Sequence, residues 1–278
     1  MRCAEISLSA GEPLAGTAVS DTTRFVVLEH AAPWGPLGVE DSGLPEPVVA
    51  ALQKLGKGVR AQLVRRREPG PGVKLYLSDA SGLHLLQLER AEDLLALDLE
   101  AWIGGGEAPG VRHDAPLYLV CVHGKRDRCC ALEGLPVYKA LNERVGEHAL
   151  ETTHLGGHRF AATLLVLPHG VCYGRVQASE VPALIEASEK REWFDLARAR
   201  GRCAYGSEAQ AAEITLRQRT GELALDKYVL DGVARDEAGF TVSFDGGAQL
   251  VSLKREPMPA MATSCDGDPK PVKRLVAI

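Results

Sequence analysis

Short apolar runs rich in β-branched residues alternate along the chain with segments in which apolar residues recur at helical spacing. In the first half, this pattern predicts a strand at residues 24–30 and a helix from Pro45 to Gly56. Three further strands are predicted in VRAQLVRRR, VKLYLSDA and LHLLQLE, and a second helix begins at Ala91. Residues 104–116 are rich in glycine and proline and show no periodicity, so we interpret them as a linker between two halves.

The second half begins with a strand of the buried type, LYLVCVHG. A helix in GLPVYKALNERVGEHA, starting at its proline, a hairpin in ATLLVLPHGVCYGRV and a helix in VPALIEASEKREWF follow it. Strand, helix, antiparallel hairpin and helix is the element order of the C-terminal half of a thioredoxin-like fold. The segment SEAQAAEITLRQRTG then predicts a capped helix, and GFTVSFDGGAQLVSLKRE predicts a β-hairpin.

We therefore predict an α/β protein with two parts. Residues 1–110 form an N-terminal α/β half, and residues 111–278 form a thioredoxin-like half with a mixed sheet, followed by the C-terminal helix and hairpin. The two halves could both be thioredoxin-like, although no motif in the first half indicates it.

Composition narrows the class of protein. The 278 residues are 45% hydrophobic and 25% charged, which is typical of a globular chain. The net charge of -5 argues against a general nucleic-acid-binding protein, and no apolar run is long enough to cross a bilayer. Residues 1–14 lack the apolar core of a signal peptide, so we expect a cytoplasmic protein.

The chain contains seven cysteines. A disulfide framework is not expected in a cytoplasmic protein of this size, so clustered cysteines indicate metal or redox chemistry. Only Cys121, Cys129 and Cys130 lie close together in the sequence. The others are scattered and are interpreted as packing residues or incidental thiols; they are Cys3, Cys172, Cys203 and Cys265.

Two segments carry the candidate chemistry, LVCVHGKRDRCC and THLGGHRF. The first leaves the end of a predicted strand, where loops commonly present functional groups. Within it, we interpret His123 as a hydrogen-bonding residue rather than a metal ligand. Asp127 either pairs with Arg126 at the surface or supports a nearby site.

In the second segment, His154 and His158 are separated by a pair of glycines, Gly156 and Gly157. Each glycine disfavours a helix by about 1 kcal/mol relative to alanine. We therefore expect a loop in which the glycines let both imidazoles turn towards one atom. A zinc-protease helix is excluded, because Leu155 occupies the position of the glutamate that such a motif requires.

Two thiolates and two imidazoles form a donor set that suits zinc or an iron–sulfur cluster with mixed ligands. Cysteines of zinc fingers are usually about two to four residues apart. Here Cys121 and Cys130 are separated by a longer loop, while Cys129 and Cys130 are adjacent. The spacing favours a larger group that contains bridging sulfides.

These segments, together with GRCAYGSEAQAAE, resemble the sucrase/ferredoxin-like family, whose members carry a thioredoxin-like ferredoxin domain. VLEHAAPWG near the start is a weaker match. The resemblance implies a [2Fe–2S] cluster with two cysteine and two histidine ligands, which fall on Cys121, Cys130, His154 and His158. Cys129 is an alternative to its neighbour Cys130. The family's sucrase label implies a sugar hydrolase, but the sequence contains no convincing carboxylate pair for one.

On this resemblance we expect an electron-transfer protein that works with a redox partner protein, either a reductase or an acceptor, and not with nucleic acid or a membrane. Electron and proton can move together if the histidines are ligands. A redox carrier is favoured over a catalyst with its own substrate. One alternative is a zinc-stabilised structural or binding protein that uses the same four residues, and another is metal-free thiol chemistry at Cys129 and Cys130. Residues 1–110 are expected to bind no metal and to act as a scaffold or docking surface.

Overall fold

Two β-sheets with helices packed on them make up the fold, in a computed structural model that describes residues 1–68 and 70–278. The helices are α1 (Cys3–Ser9), α2 (Glu46–Gln53), α3 (Leu99–Ile103), α4 (Arg128–Val145), α5 (Val181–Glu189) and α6 (Ser207–Thr220). The larger sheet contains β1 (Arg24–Glu29), β2 (Val59–Arg65), β3 (Val73–Asp79), β4 (Gly82–Leu88), β5 (Val111–Arg112), β6 (Leu117–Cys121), β7 (Ala149–Thr152), β8 (Leu164–Leu167), β9 (Val171–Tyr173) and β10 (Ala199–Arg202). The smaller sheet contains β11 (Leu230–Arg235), β12 (Phe240–Phe244), β13 (Gln249–Ala262) and β14 (Pro269–Ala277).

The larger sheet is built from two units of the same topology. In the second half the strand order is β9-β8-β6-β7, where β6 is parallel to β7 and antiparallel to β8. In the first half the order is β4-β3-β1-β2, where β1 is parallel to β2 and antiparallel to β3. These orders and directions are those of a thioredoxin-like unit. The α/β prediction is confirmed, and the first half repeats the topology predicted for the second.

Equivalent strands join the two units. β2 and β7 pair in antiparallel register, with Val64 opposite Thr152 and Arg65 opposite Glu151. The linker predicted at residues 104–116 contains β5, which pairs with β4 at the edge of the first unit. The central strands β6 and β8 are buried along their whole length, as continuous apolar runs predict. The result is one sheet that runs through both halves.

The start of α4 differs from the prediction. The helix begins at Arg128 and continues through Pro136, where the sequence predicted its first turn. Asp127 caps the helix, because its Oδ1 accepts a hydrogen bond from the backbone N–H of Cys129 at 2.9 Å. Cys129 and Cys130 therefore lie in the first turn of a helix and not in a loop.

The helix predicted from Ala91 is also interrupted. A 3-10 helix at Ala91–Ala96 is followed by α3, which Asp98 caps by accepting a hydrogen bond from the N–H of Ala101. A capping residue favours the start of a new helix, so the two segments do not merge.

The C-terminal predictions are confirmed, since α6 and the β12–β13 hairpin form where they were expected. Further strands extend the hairpin into a four-stranded antiparallel sheet. Fully buried Glu213 of α6 pairs with Arg217 at 2.9 Å and with Arg202 of β10 at 2.8 Å, which fixes this helix to the larger sheet. Among residues 1–68 and 70–278, none of the helices combines the length and apolar character required to span a bilayer.

Candidate metal centre

Two thiols and an imidazole meet at the carboxyl edge of two parallel strands. Cys121 ends β6 and is paired with Thr152, the last residue of β7, so the segments that follow both strands leave the sheet side by side. The sulfurs of Cys121 and Cys130 and a ring nitrogen of His154 all lie within 4.8 Å of one another. Both thiols are buried, and His154 is half-buried. Sulfur and imidazole donors in this arrangement can bind zinc or iron.

His158 lies beside this set rather than within it. Its ring stacks on that of His154, with centroids 5.1 Å apart, and its Nε2 is 3.8 Å from Oδ2 of Asp127. Its Nδ1 is buried and has no hydrogen-bond partner among the residues that the structure describes. An unpaired buried nitrogen is costly, and a bond to a metal would relieve that cost. The four residues fit a metal group, and their assignment as ligands remains a prediction.

The protonation states of Cys121 and His158 suit metal binding. A hydrogen bond from the Cys130 thiol, helped by His154, lowers the pKa of Cys121 well below its ordinary value despite burial. The same contact, together with burial, raises the pKa of Cys130. Burial lowers the pKa of His158, although the nearby Asp127 carboxylate opposes this. A thiolate and a neutral imidazole are the forms that bind metals.

The glycines between the histidines shape the loop as the sequence predicts. Gly156 and Gly157 have φ angles of +86° and +69°, in the left-handed region. Gly157 precedes the short 3-10 helix at His158–Phe160. The carbonyl of Gly156 accepts a hydrogen bond of 2.9 Å from the buried guanidinium of Arg200. The buried guanidinium of Arg200 thus stabilises the loop that presents both histidines.

Replacing Gly157 by alanine is expected to destabilise the protein more than replacing Gly156. A Cβ at Gly157 would lie 2.6 Å from Nη2 of Arg200 and 2.8 Å from Cδ2 of Phe160, whereas a Cβ at Gly156 would meet no atom of the described residues within 4 Å. Both variants carry the left-handed backbone cost of about 1–2 kcal/mol, and only Gly157→Ala adds a steric cost of about 1–3 kcal/mol. Urea unfolding measures the difference, and equal losses in the two variants would contradict this role of the contact.

His123 positions His154 through the backbone. Its Nδ1 accepts a hydrogen bond from the N–H of His154 at 3.2 Å, and its Nε2 donates to the carbonyl of Gly35 at 2.7 Å. Both ring nitrogens are therefore used, and the tautomer is fixed. Burial lowers the pKa of His123, which favours the neutral ring. The interpretation of His123 as a hydrogen-bonding residue is confirmed.

Residues of the first half contact the site, although none of them is a predicted ligand. Gly35 and Trp34 belong to the VLEHAAPWG segment, and Trp34 packs edge-on against the His123 ring at 6.0 Å. Arg60 of β2 donates a hydrogen bond of 2.9 Å to the carbonyl of His154. Sequence reasoning missed Arg60, because the contact depends on the pairing of the two units and leaves no local pattern.

Cys129 faces away from the site. Its sulfur lies 3.6 Å from that of Cys3 and 3.4 Å from that of Cys265. Consecutive helical residues project in different directions, so Cys129 and Cys130 belong to different clusters. The geometry therefore supports neither Cys129 as the second thiolate ligand nor thiol chemistry that uses Cys129 and Cys130 together. Cys3 and Cys265, interpreted from the sequence as packing residues or incidental thiols, are scattered in sequence but adjacent in space.

The family comparison covers the same region. The model of the sucrase/ferredoxin-like family matches residues 14–199, which include both thioredoxin-like units and every predicted ligand. No curated protein and no solved structure matches the chain. Because the family match extends over more than half of its length, the chain belongs to the sucrase/ferredoxin-like family.

Proposed function

We propose that this chain is an electron-transfer protein that holds a [2Fe–2S] cluster through Cys121, Cys130, His154 and His158. The proposal rests on one observation above all. Two buried thiols and an imidazole converge within 4.8 Å, and the ring of His158, whose Nδ1 has no partner among the described residues, stacks on that imidazole. Two sulfur and two nitrogen donors are the ligand set of a mixed-ligand [2Fe–2S] centre. Membership of the family supports the same assignment.

The chain prepares this site in two ways. Cys130 lies in the first turn of α4, where the positive end of the helix dipole stabilises a thiolate. Leu155 of the histidine loop is buried in the same apolar cluster as Cys121 and Cys130, which limits the access of water to their sulfurs. When bound, the cluster would supply a one-electron donor and acceptor.

The surface around the site suits docking of a partner. The side chain of His158 is 15% exposed, which brings the site close to the surface. Lys125, Arg126 and Arg128 are exposed on the segment between the end of β6 and α4. Cations attract acidic surfaces and accelerate encounter. We propose a redox partner protein with an acidic docking face, and no nucleic-acid or membrane partner. Seven free thiols fit the reducing cytoplasm as the location.

A zinc-stabilised binding protein is the second candidate. The distance from Cys130 Sγ to His154 Nδ1 is 3.8 Å. The corresponding edge of a tetrahedral zinc site with sulfur and nitrogen ligands is about 3.6 Å. The donors are thus compact enough for a single ion, and they would then fix α4 to the histidine loop.

The optical spectrum of the full-length chain, purified without oxygen, separates the two candidates. An iron–sulfur protein is brown-red and bleaches when dithionite is added, and its iron and acid-labile sulfide are present in equal amounts. A colourless protein with zinc at these residues would support the second candidate and contradict the first. A colourless protein without any bound metal would contradict both.

His123→Ala is expected to weaken the retention of iron without abolishing it. The substitution leaves the N–H of His154 without its partner, at a cost of about 1–3 kcal/mol if that group stays buried. The rate at which a chelator removes iron should therefore increase. His148→Ala is a matched control, since His148 belongs to a different histidine pair, with His113. Equal rates in the two variants would contradict the positioning role of His123.

A further inference from the structure

A second cluster of thiols lies on the other side of the first turn of α4. Cys3 comes from α1, Cys129 from α4, and Cys265 from the connection between β13 and β14. The sulfur–sulfur distances are 3.6 Å for Cys3–Cys129, 3.4 Å for Cys129–Cys265 and 3.6 Å for Cys265–Cys3. Three elements that are remote in sequence thus bring three sulfurs into mutual contact.

A carboxylate completes the cluster. The side chain of Asp127 is only 2% exposed, and both of its oxygens lie 3.7 Å from the sulfur of Cys3. The N–H groups of Cys129 and Cys265 donate to its two oxygens at 2.9 and 2.8 Å, so the carboxylate is fixed in place. Each oxygen keeps a further lone pair that can bind a cation.

We propose that Cys3, Cys129, Cys265 and Asp127 form a zinc site that is separate from the cluster site. Tetrahedral zinc with bonds of about 2.3 Å to sulfur needs sulfurs about 3.8 Å apart. The observed triangle has its centre about 2.0 Å from each sulfur, so an ion about 1 Å above that plane makes three bonds of normal length. Asp127 or a water molecule supplies the fourth ligand.

The chemistry of the donor atoms indicates which metal ion the site would bind. Three soft thiolates favour zinc over magnesium or calcium, which prefer oxygen ligands. Binding displaces the proton of each thiol to solvent, and the dication then offsets the negative charge of the buried thiolates. The N-terminus of α4, in whose first turn Cys129 lies, adds positive potential.

The site would have a structural role. It ties the N-terminal helix and the C-terminal hairpin to the helix that carries Cys130. Asp127 also faces Nε2 of His158 at 3.8 Å, so the same carboxylate contacts both centres. Cys3 and Cys265 lie outside the residues that match the family, and the site therefore uses parts of this chain that the family match does not include.

Metal analysis of the full-length chain tests the proposal, with zinc and iron measured separately by mass spectrometry after desalting. We expect about one zinc ion per chain in the unmodified protein and at least about a tenfold loss in Cys265→Ser. Cys265 is only half-buried, so this variant perturbs folding less than Cys3→Ser or Cys129→Ser. Cys203→Ala, which removes a buried thiol outside both clusters, and Cys121→Ala should both retain the zinc.

Cobalt(II) provides a second measurement on the chain stripped of metal. Thiolate-to-cobalt charge-transfer bands should appear with the native thiols and weaken in Cys265→Ser. Zinc that remains in Cys265→Ser but disappears in Cys121→Ala would place the ion in the other site and overturn the proposal. Failure to retain zinc or cobalt, or a disulfide among the three cysteines in protein kept free of oxygen, would also overturn it.

Discussion

Replacing any of Cys121, Cys130, His154 and His158 by alanine is expected to remove most of the bound iron, whereas Cys129→Ala is expected to retain it. Outer partners of metal ligands already change metal affinity by about 10–100-fold when they are replaced, so the loss of a direct ligand should cost more. The sulfur of Cys129 faces Cys3 and Cys265 instead of the cluster site. Iron content and visible absorbance after anaerobic reconstitution measure the effect.

Cys203→Ala is the matched control for these variants, because its thiol is buried and belongs to neither cluster. Circular dichroism checks that each variant is folded when its iron content is measured. Loss of colour in Cys129→Ala, together with retention in Cys130→Ala, would show that the second ligand is displaced by one residue. The proposed ligands connect α4 to the histidine loop, so we also expect the metal-free protein to unfold at a lower temperature.

The midpoint potential of the cluster is expected to lie well above that of a four-cysteine ferredoxin. A neutral imidazole donates less charge than a thiolate, so two histidines leave the cluster less negative and easier to reduce. Rieske centres, which also have two histidine ligands, span roughly -150 to +300 mV, against about -400 mV for plant-type ferredoxins. Protein-film voltammetry measures this difference directly.

The potential is also expected to fall as pH rises. Oxidised iron withdraws more charge from a ligating imidazole, so the pKa of the second ring nitrogen is lower in the oxidised than in the reduced protein. Between those two pKa values, reduction takes up one proton and the potential falls by about 59 mV per pH unit. Below both values and above both values it is flat. A strongly negative potential that does not change with pH would contradict histidine ligation.

Much of the fold could be predicted from local pattern. The apolar run that forms β6 and the hairpin of β8 and β9 follow from periodicity and turn residues. The start of α4 could not be predicted, because Pro136 is a stronger helix-start signal than the cap at Asp127. The topology of the first half depends on strand pairing, and its sequence repeats no motif of the second.

The two candidate sites also differ in how far each could be predicted from the sequence. The proposed cluster ligands stand in two short segments whose spacing is visible in the sequence, so local reasoning could propose them. Cys3 and Cys129 are 126 residues apart, and Cys129 and Cys265 are 136 residues apart. No spacing rule connects such distant positions, and only the packing of α1 and the C-terminal hairpin against α4 brings them together.

Pulsed electron paramagnetic resonance of the reduced full-length chain, labelled with ¹⁵N-histidine, tests the central claim most directly. We expect a paramagnetic [2Fe–2S] signal with strong couplings to two ¹⁵N nuclei, one of which disappears in His154→Cys and the other in His158→Cys. A cluster signal without strong ¹⁵N coupling would contradict histidine ligation, and the absence of any cluster signal from folded protein would contradict the cluster itself.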